Sequence, residues 1–394
     1  MAESDTATTE SPEAPPRLSA RKILEGFRDL GVPDDPTEKL ACEPSFNRYT
    51  TFWVLGDTLN ASYAALEGML LACRDEARSA IKTIRPTILS YLARHFDPAR
   101  GRFATDSSDR THGLFATHVA IGVMRSLEGL GSKECLGWER FDRFLREIGP
   151  EAAGAGAEGL KDLLAGCCEG DGFVENLERP LIPTLTALYT ASSILWYLGE
   201  DPDHESGLTR FIEPHRLERF LFGCLKRHLV DGRWISGFAI HPDHSELCVN
   251  TTFFGLRLMD RLGVSREPGC DLEIEGFLTQ SYKDGGFSST RWEPRSLNAT
   301  YWGLRALKIV LPTRWTDFLS KHGPSIGRFV ASCQNRCNAG APFAPDLARY
   351  GENCLATRYW LQIMRLLSVD LDNEERKRIF EFFWKRFDPE MGGF

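Results

Sequence analysis

The sequence contains no uninterrupted apolar run of about 18 residues, the length that a membrane-spanning helix requires. It also contains no run of lysine and arginine, and its formal net charge of -8 argues against a nucleic-acid partner. No secretory signal opens the chain, and its 11 cysteines are scattered without a regular pattern. We therefore expect a cytoplasmic protein with free thiols, no integral membrane segment and no bound nucleic acid.

Large apolar side chains are scarce in the first 20 residues, which are rich in Ser, Thr, Pro and Glu. Such a segment buries too little apolar surface to offset the entropy of ordering it. We predict a disordered tail over residues 1–20 and a single domain over residues 21–394. A chain of this length often forms two or more domains, but a closed array of repeats accommodates it as one.

A short turn recurs along the rest of the chain. The segment Phe96–Phe103 (FDPARGRF) closely matches Phe387–Phe394 (FDPEMGGF), and Asp284–Phe287 (DGGF) repeats its centre. Glycine permits the positive φ that tight turns of this kind need, and the aromatic residue that follows can anchor the turn. Recurrence of one such unit predicts a repeat architecture.

Each turn precedes an apolar helical segment with a shared start, such as NTTFFGL from Asn250 and NATYWGL from Asn298. Six copies are recognisable, near Asn60, Ala116, Leu181–Leu198, Asn250, Asn298 and Ala356. Amphipathic segments with one charged face alternate with them, at about 78–95, 140–165, 213–228, 271–281, 320–334 and 373–387. We predict an all-α fold, an α6/α6 toroid in which six inner helices alternate with six outer ones. Its last turn, at Gly393–Phe394, is expected to close the ring beside the first inner helix.

The repeat resembles that of a known family. Gln280–Phe287 (QSYKDGGF) followed by Leu297–Tyr301 (LNATY) is similar to the repeat of protein prenyltransferase β-subunits and squalene-hopene-type terpene cyclases. The resemblance covers about residues 46–394 and indicates the fold more specifically than the reaction. It implies an isoprenoid diphosphate or another hydrophobic small molecule as ligand, and it makes a partner subunit a further expectation.

The inner helices of such a toroid all point the same way, so their N-termini meet at one mouth, where N–H groups and helix dipoles attract anions such as diphosphate. Arg291, Arg295 and Arg349 precede inner helices and are candidates for binding the diphosphate, or are exposed loop arginines. Aromatic residues on the inner helices are expected either to hold an isoprenoid chain or to fill the core. They are Tyr63, Phe115, Tyr189, Phe253, Tyr301, Trp302, Tyr359 and Trp360.

The resemblance to prenyltransferases implies a zinc site made by an Asp-x-Cys and a later His. Alignment of the Gly-Leu pairs places Glu246 and Cys248 on the first motif but Ser296 on the histidine, with His241 and His244 as substitutes from the preceding loop. Glu246 and Cys248 are therefore the candidate metal ligands, with zinc as a candidate cofactor and magnesium as a companion of a diphosphate substrate. Alternatively, Glu246 only complements a helix dipole and Cys248 is a buried hydrophobe.

The resemblance to terpene cyclases implies an acidic Asp at an inner-helix start. Asp57 aligns with that residue, although both supporting acids of the motif are absent. Glu352 occupies the same register one repeat earlier, so ring closure would make the two carboxylates neighbours. They form a candidate catalytic acid/base pair, or are ordinary helix caps.

Taken together, these residues lead us to expect an enzyme that handles isoprenoid diphosphates or terpenoids, by prenyl transfer or by terpene cyclisation. The alternative is a non-catalytic toroid that binds a lipid or a protein partner, because the zinc histidine and two motif acids are missing. Six-hairpin glycosidases share the architecture and use paired carboxylates, but the Gln…Gly-Gly-Phe repeat argues against them.

Overall fold

The computed structural model describes residues 58–98, 101–104, 113–130, 134–175, 182–200, 207–334, 340–341, 353–390 and 392–394. Helices dominate this part of the chain, and short antiparallel hairpins connect them. The predicted tail and three candidate site residues, Asp57, Arg349 and Glu352, lie outside the described residues.

Six apolar helices of the described residues form an inner layer: α1 (Thr58–Ala72), α3 (Leu114–Leu127), α6 (Leu185–Tyr197), α8 (Val249–Arg261), α10 (Leu297–Val310) and α12 (Cys354–Leu366). Each contacts the next, and α12 contacts α1, so the layer closes into a ring. They are inside because most of their faces are apolar and are buried against the neighbouring inner helices and the outer layer. The predicted all-α toroid, with its six inner helices, is confirmed.

The outer layer contains α2 (Arg74–His95), α4 (Trp138–Ile148), α5 (Pro150–Cys167), α7 (Pro214–Cys224), α9 (Cys270–Ser281), α11 (Trp315–Ser332) and α13 (Asn373–Trp384). The segment predicted as one helix over 140–165 is divided, because Gly149 is extended and Pro150 opens a new helix, which is kinked at Gly156, where φ is 43°. The helix predicted over 213–228 ends at Cys224, where the chain enters a strand. No helix among the described residues is long and apolar enough to cross a membrane.

The repeated turns form short antiparallel sheets. The strands are β1 (Phe96–Asp97) with β2 (Arg102–Phe103), β3 (Cys168–Glu169) with β4 (Gly172–Phe173), β5 (Leu225–Val230) with β6 (Arg233–Phe238), and β7 (Tyr282–Lys283) with β8 (Gly286–Ser288) and β9 (Arg295–Ser296). A single 3₁₀ turn, Leu208–Arg210, precedes α7.

Five of the described turns are held against the start of an inner helix by a hydroxyl group. The backbone N–H of Phe287 donates to Thr300 Oγ1 at 2.9 Å, and its ring covers Gly303, where an added Cβ would lie 2.6 Å from the ring. The same donation joins Phe103 to Thr117, Phe238 to Thr252, Ala341 to Thr357 and Phe394 to Ser62. The last of these places the final turn against α1, as ring closure requires.

Candidate functional site

Although the outer helices shield the inner ones, each inner helix keeps a stripe of partly accessible residues. On α8 the stripe contains Asn250, Phe254, Arg257 and Arg261. On α10 it contains Asn298, Trp302, Arg305 and Ile309. Residues three or four positions apart share one face of a helix. We therefore assign these stripes to the lumen, meaning the space that the six inner helices enclose.

One side of the lumen is an aromatic wall, made by α6, α8, α10 and α12. The rings of Phe253 and Trp302 stack at a centroid distance of 4.9 Å. Tyr301 lies 5.4 Å from Tyr359, and the ring of Tyr189 stacks on that of Phe254. The structure thus brings five residues named from the sequence into one cluster: Tyr189, Phe253, Tyr301, Trp302 and Tyr359.

Tyr63 on α1 lies beside that wall, with the Arg358 guanidinium of α12 lying 4.7 Å from its ring centroid. Its hydroxyl is 3.4 Å from the hydroxyl of Tyr197, although α3 separates their helices in the ring. Trp360, which the sequence also suggested as a lining residue, packs outwards instead. It is buried, and its indole N–H donates to the Val330 carbonyl of the outer helix α11 at 3.0 Å.

Four arginines on four different inner helices lie against these aromatic rings. The Arg305 guanidinium is 4.4 Å from the Phe253 ring centroid and donates to the Tyr301 hydroxyl at 2.9 Å. The others are Arg125 against Tyr197, Arg261 against Tyr189 and Arg358 against Tyr63. A cation is attracted to the face of an aromatic ring, but this contact does not neutralise the positive charge.

The charge balance among the described lumen residues is strongly positive. Glu67 on α1 pairs with the Nε of Arg358 on α12 and joins the first inner helix to the last. His118 on α3 stacks on Tyr197 at 5.0 Å. Burial first, and then the neighbouring arginines, lower the pKa of His118 to about 3, so the ring is neutral at pH 7.

These arginines were not predicted from the sequence, because only aromatic residues were considered on these helices. Alignment of the repeats position by position identifies them. The position that Tyr63, Phe253 and Tyr301 share within the repeat is held by Arg358 in α12. One turn later in the same register, α10 carries Arg305.

The loop arginines predicted from the sequence lie elsewhere. Arg291 is exposed, with its guanidinium 5.3 Å from the ring of the exposed Trp292. Arg295 donates to the Asp284 carbonyl and lies 5.0 Å from the ring of Phe329 on the outer helix α11. These contacts are with the loop and the outer layer, not with the aromatic wall.

The candidate zinc ligands do not form a metal site with other described residues. Glu246 is exposed, and the Cys248 sulfur lies 3.3 Å from the Ser289 hydroxyl. Ser296, at the position where a histidine was expected, accepts from Ala299 N and caps α10. No group of three or more His, Cys, Asp or Glu residues in the described part of the chain could hold a metal ion. This donor set does not fit a catalytic zinc, which needs three protein ligands.

One buried acid that sequence reasoning missed lies at the start of α3. The Oε1 atom of Glu175 accepts from the backbone N–H of Phe115 at 2.7 Å. Burial raises the pKa of Glu175 to about 7, against the opposing effect of that N–H donor. A carboxyl group that holds its proton near neutral pH is a candidate proton donor.

Comparison with known proteins supports the fold. No protein-family model matches the sequence, and no curated protein matches it. Among solved structures, the chain is similar to Candida albicans protein geranylgeranyltransferase-I complexed with GGPP, at 13% identity and a TM-score of 0.52. The similarity covers 93% of this chain and 97% of that chain. At this identity it establishes a prenyltransferase-like toroid fold and leaves the reaction to be argued from the site.

Proposed function

We propose that this protein is an isoprenoid-handling enzyme that holds an isoprenoid diphosphate inside its ring. The observation that carries the proposal is the contact of an aromatic wall with partly accessible guanidinium groups, as in Arg305 against Phe253 and Tyr301. Aromatic faces complement an unsaturated apolar chain, and arginines bind phosphate oxygens through charge-assisted hydrogen bonds. The similar Candida albicans structure was solved with GGPP, which supports testing this ligand class first.

The proposed chemistry begins with cleavage of the bond between the allylic carbon and the diphosphate oxygen. The electron pair leaves with the diphosphate, and fixed positive groups stabilise the departing charge. The aromatic wall stabilises the allylic cation that remains. Attack by an acceptor nucleophile then completes prenyl transfer, whereas attack by a double bond of the same ligand, followed by proton loss, completes cyclisation. No step is assigned to zinc, and magnesium bound to the diphosphate is compatible with this scheme.

Two carboxyl groups are proposed to take up the proton that this reaction releases. Asp57 and Glu352 keep their proposed role as an acid/base pair and accept the proton that is lost on cyclisation or from the acceptor nucleophile. The substitutions Asp57→Asn and Glu352→Gln test this role by product formation. Undiminished turnover in both variants would end the acid/base assignment.

The decisive experiment is incubation of the full chain with geranyl, farnesyl and geranylgeranyl diphosphates, with product detection by mass spectrometry and an assay of released diphosphate. Trp302→Leu removes a wall residue, and Trp292→Leu, which changes a side chain that is 81% exposed, is the matched control. We expect Trp302→Leu to weaken ligand binding by about 10-fold, as loss of a buried aromatic contact implies. If none of the three diphosphates binds, the proposal is wrong.

A second candidate function is non-catalytic binding of the same ligand class. It is favoured by the charge arrangement, because Glu67, a carboxylate of the lumen, is already paired with Arg358. This candidate predicts tight binding with no release of diphosphate.

A further inference from the structure

Two of the lumen arginines, Arg261 and Arg305, have no counter-charge among the described residues. Arg305 donates to the Tyr301 hydroxyl at 2.9 Å, and Arg261 donates to the Ser192 hydroxyl at 3.0 Å. Neutral hydroxyls satisfy a donor but do not balance a charge. The Nε atom of Arg261 is buried with no hydrogen-bond partner.

A guanidinium cannot escape this cost by losing its proton, because its intrinsic pKa lies above 12. Burial does lower the pKa of Arg261, but the group stays charged at neutral pH. Buried charges in proteins are normally paired, and an unpaired one is strongly unfavourable. Arg257, on the same stripe of α8 as Arg261, adds to the positive charge. The lumen is therefore built for an anion.

The backbones of these two arginines lie well inside the N-terminal mouth. Arg305 lies about 12 Å along α10 from its first residue, Leu297, and Arg261 about 18 Å along α8 from Val249, at a rise of 1.5 Å per residue. The Arg305 guanidinium is 4.4 Å from the centroid of the Phe253 ring. The positive charge therefore adjoins the aromatic wall inside the lumen.

The helix starts at the mouth are less available to an anion than their dipoles alone suggest. In four of the six inner helices of the described residues, a side-chain oxygen already accepts a backbone N–H of the first turn. These oxygens belong to Thr184, Ser296, Asn353 and Glu175.

We propose that the anionic group of the ligand binds deep in the lumen, on Arg261 and Arg305, while its apolar tail packs against the adjoining aromatic wall. The identity of the tail rests on the proposed function, whereas the anion site rests on charge and geometry alone. The chemistry selects a phosphate or diphosphate group, because two guanidinium groups offer paired donors to its oxygens. His118, whose Nδ1 atom has no hydrogen-bond partner in the described residues, faces the same charged region.

The test compares four variants of the full chain by calorimetric titration. Arg261→Met and Arg305→Met remove the deep charges, Arg291→Met removes a charge near the mouth, and Arg328→Met changes an exposed arginine of the outer helix α11 as control. Farnesyl diphosphate, inorganic diphosphate and farnesol are the three probes. We expect the two deep variants to bind farnesyl diphosphate about 10- to 100-fold more weakly, the value that one or two charge-assisted hydrogen bonds imply. Arg291→Met and Arg328→Met should change its affinity less than about 3-fold, which is below the loss of one such bond.

Thermal unfolding without ligand separates a binding role from a structural one. Because Arg305→Met and Arg261→Met remove uncompensated charge, the melting temperature of each variant should equal or exceed that of the wild type. Inorganic diphosphate should raise the melting temperature of the wild type and lose this effect in both variants. Variants with a lower melting temperature and an unchanged affinity for inorganic diphosphate would show that the arginines are structural and would overturn the proposal.

The probes also distinguish this inference from the proposed function. If inorganic diphosphate binds through Arg261 and Arg305 but no prenyl diphosphate does, the deep anion site stands and the isoprenoid assignment fails. If farnesyl diphosphate binds and only Arg291→Met weakens it, the isoprenoid assignment stands and the deep site is refuted. The wild type should bind farnesol more weakly than farnesyl diphosphate. Both deep variants should bind farnesol with the same affinity as the wild type does.

Discussion

Replacing Glu67 by Gln should destabilise the protein, because Glu67 alone balances Arg358 among the described carboxylates. Its side chain is 16% accessible and that of Arg358 is 13%, so water screens the pair poorly. Burial lowers the pKa of Arg358, but Glu67 and the Tyr63 hydroxyl oxygen more than offset this and raise it. Glutamine keeps the shape and an acceptor oxygen, but it leaves the guanidinium unpaired.

The expected cost follows from this environment. Removing one partner of a buried pair costs about 3–5 kcal/mol, and residual accessibility reduces this to about 2–4 kcal/mol here. An unfolding entropy of about 2.1 cal/mol/K per residue gives roughly 0.8 kcal/mol/K for a chain of this size. The melting temperature should therefore fall by about 2–5 °C.

The assay is thermal and urea unfolding of Glu67→Gln beside Glu158→Gln, which breaks a surface pair with Lys161 through a side chain that is 80% accessible. The surface variant should cost less than about 0.5 kcal/mol. The double variant Glu67→Gln with Arg358→Met should recover much of the lost stability, because it removes the orphaned charge. Glu67→Gln should also bind inorganic diphosphate more tightly, since the lumen gains net positive charge. Unchanged stability of Glu67→Gln, or simple additivity in the double variant, would refute this reasoning.

Further predictions concern pH and packing. The depressed pKa of His118 should make stability fall by up to about 5 kcal/mol as pH drops from 6.5 towards 3, and His118→Gln should remove that slope from urea unfolding measured against pH. The raised pKa of Glu175 acts in the opposite direction, because it should lower stability by up to about 3 kcal/mol as pH rises from 4.5 to 7. Glu175→Gln should remove this slope, and slopes of the same sign for His118 and Glu175 would contradict the assignments. Gly303→Ala should cost about 1–3 kcal/mol in urea unfolding, because the new methyl meets the ring of Phe287. Thr300→Val should cost about 1–2 kcal/mol by leaving the Phe287 N–H without its acceptor, and an unchanged midpoint would show that the hydroxyl does not hold the turn.

The amino-acid sequence by itself determined the ring. Apolar segments with a shared start, such as those at Asn250 and Asn298, alternate with charged amphipathic ones, and this pattern depends only on local periodicity. The same pattern places Phe253 and Tyr301 at one position of the repeat and Trp302 one residue later, level with Phe254. It joined α4 and α5 into one helix because their break rests on the backbone geometry of a single Gly-Pro step.

The charges of the lumen were decided by tertiary structure. Glu67 and Arg358 are 291 positions apart, and only closure of the ring makes them partners. From the sequence, Arg305 resembles any charged residue of an amphipathic helix. Its direction depends on how α10 is rotated about its own axis, and packing against both neighbouring helices sets that rotation. Trp360 faces outwards and Trp302 inwards for the same reason. Composition and spacing identify which helices are buried, whereas the direction in which each side chain points depends on contacts between residues far apart in the chain.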